Sequence, residues 1–188
     1  MGLPAPKGWR LWLGVAAMTL GLALAAQQLI PVLYKPSPQP EAQPLQSADP
    51  AIRLTEVGDG VLTVYADVTQ AKDAADNFDK AAATVSAVGQ ALKRGVSDDL
   101  KGATKVRFSI RCQATNRFGQ DVMAQLVTFD APLSALQGVD YANTRPADVL
   151  GLAQSVKLGA PGAYDAIAAW CKDPARAGRA FCTKANGA

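Results

Sequence analysis

Histidine is absent from this chain of 188 residues. That removes the commonest general base, the usual zinc and copper ligand and the side chain that titrates near neutral pH. Glutamate is nearly missing as well, with only Glu41 and Glu56, so a catalytic acid pair would have to come from aspartates. Asp98 and Asp99 are adjacent, but neighbouring residues in a turn do not converge as a catalytic pair does, and they suit the cap of a short turn near Leu100. No G-x-S-x-G, phosphate-binding glycine loop, H-E-x-x-H or dinucleotide fingerprint occurs. The chain is therefore expected not to be an enzyme, with no catalytic residue, no metal ligand and no cofactor. Cysteine is scarce, at positions 112, 171 and 182, and the missing C-x-x-C spacing argues against a redox-active pair. Aromatic residues are few, so Val, Leu, Ile and Ala must supply most of the core. A net charge of +3 is too small to argue for nucleic acid.

What the chain does have is a long apolar run. Residues 11–34 begin at Leu11, end at Tyr34 and carry no formal charge. As a helix this run would be roughly 36 Å long, enough to cross a ~30 Å hydrocarbon layer with some tilt. Lys7 and Arg10 precede it, Trp9 and Trp12 suit one interface, and Tyr34 and Lys35 suit the other. These features predict a cytoplasmic tail over 1–10 and a transmembrane helix over 11–34, in an inner-membrane protein with its C-terminal part outside the cytoplasm. The competing reading is a signal peptide. Leu11 to Leu22 would be its apolar region, and Ala23, Leu24 and Ala25 would supply small residues for cleavage and release into the periplasm. The anchor is preferred because Leu29, Ile30, Val32 and Leu33 continue the apolar run past that site.

Residues 35–50 read KPSPQPEAQPLQSADP. Proline alternating with polar residues favours extended polyproline II and cannot pack a core, so this stretch is expected to be a stiff linker. The remaining residues, 51–188, make one domain-sized unit.

The predicted fold of that unit is α+β: a small, mainly antiparallel four-stranded sheet packed by one long helix, with short C-terminal helices. Asp59-Gly60 between two β-rich runs signals a hairpin of strands 52–57 and 61–68. Thr69 can cap a helix over 70–94, where Ala71, Phe78, Ala82, Val85 and Leu92 belong to one apolar stripe and Gly95 provides a stop. Residues 104–114 and 120–129 read as two more strands around the turn Asn116-Arg117-Phe118-Gly119. The C-terminal third reads as helices opening at Pro146 and running to about Val156, at Pro161, and at Pro174.

Three features could serve recognition. Cys171 and Cys182 lie on consecutive short helices and are expected to form a disulfide, with Cys112 left over. Lys105, Arg107 and Arg111 alternate along one strand face and could meet an anionic ligand, a cell-wall polymer or an acidic partner. Arg117 and Phe118 sit at a hairpin tip and could touch a partner. The cation row has no interleaved aromatics, which argues against single-stranded nucleic acid. The layout of anchor, stiff spacer and small domain predicts a non-catalytic component of a bacterial envelope assembly, of secretion, conjugation or pilus type. Its partners would be other envelope proteins. The alternative is a secreted or tethered domain that binds an anionic ligand or cell-wall polymer through the basic strand face.

Overall fold

The computed structural model of the protein describes residues 44–96, 100, 102–159 and 161–187. The expected cytoplasmic tail, the apolar run 11–34 and residues 35–43 of the linker lie outside the described residues. Among the described residues no helix is long and apolar enough to cross a membrane. The folded part reaches back before position 51, because Pro44–Ala48 forms a 3-10 turn that buries Leu45 in the core.

Five strands form one sheet in sequence order: β1 (Ile52–Gly58), β2 (Val61–Val68), β3 (Lys105–Thr115), β4 (Asp121–Pro132) and β5 (Gln154–Leu158). The β1–β2, β3–β4 and β4–β5 pairs are antiparallel, whereas β2 and β3 are parallel. The sheet is thus mixed and five-stranded, which corrects the expected four-stranded, mainly antiparallel one. The parallel joint follows from helix α1 (Asp76–Lys93), which carries the chain back along the sheet between β2 and β3. The β1–β2 hairpin turns as expected, with Asp59 at φ 52° and Gly60 at φ 73°, the pair of left-handed residues that a tight primed turn needs.

Helix α1 starts six residues later than the alanine periodicity predicts. Gln70 takes φ 56°, a conformation no right-handed helix continues. The turn that follows is capped reciprocally: Asp76 N–H donates to Asp73 Oδ1 and Lys72 N–H to Asp76 Oδ2, both at 2.8 Å. At the far end Gly95 (φ 73°) stops the helix as expected. There Val96 N–H donates to the Ala91 carbonyl and Gly95 N–H to that of Leu92, which satisfies two carbonyls the helix leaves open.

The fifth strand comes from a segment expected to be helical. Pro146 does open a helix, but α3 (Pro146–Val149) gives way to a 3-10 turn over Leu150–Leu152 and then to β5. Ser155 at φ 50° breaks any helical continuation, and Leu158 and Lys157 pair with Val127 and Thr128 of β4. The remaining helices are α2 (Leu133–Gly138), α4 (Pro161–Cys171) and α5 (Arg179–Ala185). The last begins five residues after Pro174 because Asp173 starts a tight turn, accepting from Ala175 N–H at 2.9 Å.

One face of the sheet is buried under α1. Leu62, Val64, Ala66 and Val68 of β2 and Val106, Phe108 and Ile110 of β3 meet Phe78, Ala82, Val85, Val88 and Leu92 of the helix. Small and branched side chains dominate, yet the few aromatics are concentrated at its centre. Phe108 stacks on Phe129 at 5.1 Å, Phe181 meets Phe129 edge-on at 5.9 Å, and Phe78 lies 5.7 Å from Trp170. Such pairs add roughly 0.5–1.5 kcal/mol each beyond their buried area. The C-terminal segment that brings Trp170 and Phe181 into this cluster is closed by the Cys171–Cys182 disulfide, with Cα atoms 5.9 Å apart, as expected.

Two further contacts lock the layers. The Tyr141 hydroxyl lies against Gly89 of α1, where a Cβ would come within 1.8 Å of it. It donates to the Leu136 carbonyl at 2.7 Å, and burial pushes its pKa up to about 12. Asp79 of α1 accepts from Trp170 Nε1 at 2.7 Å and from Arg176 Nε at 2.8 Å, with Arg176 Nη2 also on it.

Candidate interaction site

The sheet face turned away from α1 carries the alternating cations. Lys105 and Arg107 both reach Asp130 of β4, across the neighbouring strand: Lys105 Nζ at 3.1 Å, Arg107 Nε at 2.7 Å and Arg107 Nη2 at 3.0 Å. Arg111 forks onto Asp67 of β2 at 2.8 and 2.7 Å, and Arg53 approaches the same carboxylate at 3.5 Å. The guanidinium of Arg111 holds Asp67 below the usual carboxylate range, and that of Arg107 does the same for Asp130. The two arginines are raised in turn. Each cation of the row therefore has a carboxylate beside it, and an incoming anion would compete with fixed, bidentate partners.

The Arg117–Phe118 tip is separate from that row. Asn116 builds the turn, its Oδ1 accepting from Phe118 N–H at 2.9 Å and Gln120 N–H at 3.0 Å, while Gly119 supplies φ 76°. The turn leaves Phe118 72 % exposed, with the Arg117 guanidinium 4.7 Å from the ring centroid. Asn and Gly thus fulfil the backbone role such turns demand, and they also hold an aromatic ring out in solvent.

Between tip and sheet lies a feature that no motif announced. β2 stops at Val68, opposite Cys112, while β3 and β4 run on together to Thr115 and Asp121 as a projecting arm. The core-facing row continues along it as two cross-strand pairs, Cys112 with Ala124 and Ala114 with Val122. α1 begins at Asp76, and in place of a helix there is an open cleft of about 760 Å³. The arm forms its floor. Ala71 and Ala74, in the approach to α1, line one wall, and Pro161, Ala163 and Ala166 of α4 line another.

No family model, no curated protein and no solved structure matches the chain.

The site is accordingly read from its own residues. Cys112 lies on the cleft floor, half-buried, and desolvation pushes its thiol up, so it behaves as a small apolar side chain. Among the described residues no group of cysteine and carboxylate side chains is placed to hold a metal ion. What the arrangement offers is shape: an uncovered strip of core next to a rigid hairpin that ends in an exposed ring. Sequence reasoning marked the tip but missed the cleft, because its lining comes from three distant segments and alanine is its commonest residue. The one available signal was that both faces of strand 120–129 carry apolar groups, the pattern of a strand covered on both sides.

Proposed function

We propose that the chain is a single-pass inner-membrane protein, anchored through residues 11–34, that presents its C-terminal domain in the periplasm as a non-catalytic interaction module. It serves as a structural or accessory component of a bacterial envelope assembly of secretion, conjugation or pilus type. The observation that carries this reading is the projecting β3–β4 arm, whose core-facing side lies open and whose tip holds Phe118 out in solvent. An exposed aromatic beside an unfilled apolar strip marks a place for another protein, since aromatic anchors dominate binding energies at interfaces. The uncharged run 11–34 and the proline-rich stretch after it support delivery across a membrane on a spacer. The Cys171–Cys182 disulfide is in keeping with an oxidising compartment. Binding of an anionic ligand at Lys105, Arg107 and Arg111 is the less favoured reading, because Asp130 and Asp67 already occupy those cations.

A photo-crosslinking residue placed at Phe118 in the full chain, expressed in its native cells, tests this. A covalent adduct with another envelope protein is expected. Full-length protein that yields no adduct and runs as a lone monomer after detergent extraction would refute the reading.

A further inference from the structure

The cleft beneath the arm has a chemistry of its own. Its floor is made of Cys112, Ala114, Val122 and Ala124, which leave room for side chains of moderate size. Its charged lining residues, among those described, are Asp73 and Asp121, with no lysine or arginine. Asp73 is well exposed, at 59 %, and its nearest cation, Arg176, stands off at 3.8 Å. Asp121 accepts only a weak hydrogen bond, from Thr115 Oγ1 at 3.3 Å.

The backbone adds a third element. Asn116 N–H donates to the Gln120 carbonyl across the arm, and antiparallel pairs alternate between bonded and non-bonded. Ala114 and Cys112 therefore exchange their hydrogen bonds with β4. Gln113 and Thr115 face the opposite edge, where the register gives the Gln113 N–H to the Val68 carbonyl at the end of β2 and leaves the Gln113 C=O and both groups of Thr115 beyond it. That edge has no strand alongside among the described residues, and it borders the cleft.

From these three observations we infer that the cleft binds an extended segment of a partner protein, with small or branched apolar side chains on one face and a flanking lysine or arginine. The segment adds main-chain hydrogen bonds at the Gln113 carbonyl and at Thr115, lays its apolar face on the arm and brings its cation to Asp73 and Asp121. Strand addition to an exposed edge, with pockets reading alternate side chains, is an established recognition mode. This inference rests on the interaction reading above and specifies the partner that reading leaves open.

Cys112 provides a built-in reporter, because the other two cysteines are joined in the disulfide. Full-length protein in lipid nanodiscs is alkylated with iodoacetamide at low ionic strength, with the peptide KVTVTVSK or its charge-reversed counterpart EVTVTVSE present. At a KVTVTVSK concentration about ten times its dissociation constant, Cys112 alkylation should slow roughly tenfold, in proportion to the unoccupied fraction. EVTVTVSE should protect far less. Asp73→Asn with Asp121→Asn keeps the helix cap and the hydrogen-bond geometry, and should weaken the lysine peptide by between about twofold and about thirtyfold. Equal protection by both peptides, or no protection by either, would overturn the inference. Protection that rises with the protein's own concentration, without peptide, would assign the cleft to a second copy and overturn it too. If neither peptide protects while Phe118 still crosslinks to an envelope protein, this inference fails and the interaction reading stands.

Discussion

Replacing Asp79 by alanine tests how the C-terminal segment is fastened to the long helix. Asp79 accepts the indole N–H of Trp170 at 2.7 Å and the guanidinium of Arg176. Trp170 is fully buried, so its N–H would find neither protein acceptor nor water, a loss of about 1–3 kcal/mol. Arg176 keeps about a third of its side chain in solvent, at 32 %, and re-solvates at little cost. The aspartate also lies in the first turn of α1, where a negative charge contributes ~0.3–1 kcal/mol. Asp79→Ala should therefore cost about 2–4 kcal/mol in urea unfolding followed by far-UV circular dichroism. Asp79→Asn keeps an oxygen for the indole and should cost about 1 kcal/mol. In a Trp170→Phe background, which lacks the N–H, Asp79→Ala should cost about 1–2 kcal/mol less than in the native chain. A loss for Asp79→Ala below about 0.5 kcal/mol, or the same loss in both backgrounds, would refute the assignment.

Three other perturbations have defined outcomes. Gly89→Ala places a methyl group on the Tyr141 hydroxyl and should destabilise by about 1–3 kcal/mol, with partial recovery in Gly89→Ala/Tyr141→Phe, measured by thermal unfolding. Cys171→Ser/Cys182→Ser, or reduction, opens a link between residues 11 apart in sequence and should cost about 2.7 kcal/mol on the chain-entropy model; an unchanged midpoint would refute a structural role. Asp67 and Asp130 have pKa values lowered by their arginines in the folded chain. Their contribution is therefore present above the unfolded value near pH 4 and is lost as pH falls through the lower folded values. Asp67→Asn/Asp130→Asn should flatten the decline in stability below about pH 4, read from urea midpoints, and an unaltered slope would show that the pairs contribute nothing there.

Features governed by neighbours in sequence were legible in advance. The Asp59-Gly60 turn, the two hairpins, the Gly95 stop and the disulfide each depend on residues at most 11 positions apart, and each formed as expected. Features decided by distant partners were not. The direction of β3 relative to β2 depends on a connecting helix whose packing no local pattern encodes. Gln154–Leu158 became a strand because β4 offered an edge, and Pro146 alone pointed to a helix. The sparse aromatics gave no hint of clustering, because Phe78, Phe108, Phe129, Trp170 and Phe181 come from five separate elements. The alternation of Lys105, Arg107 and Arg111 was visible, but Asp67 and Asp130 beside them were not, since those carboxylates arrive through the register of the adjacent strands.

The parallel joint between β2 and β3 also sets the order in which the domain can be completed. Synthesis runs from the N-terminus, so β1, β2 and α1 exist before any residue of β3 does. During that interval β2 has β1 on one side only, and its inner row of Leu62, Val64, Ala66 and Val68 borders a bare edge of the kind that captures stray strands. Closing a parallel pair across an intervening helix is slow compared with closing a hairpin. The half-made chain is therefore the sticky species. A pause in translation between Val68 and Lys105 should lower the yield of folded protein more than an equal pause after Thr115.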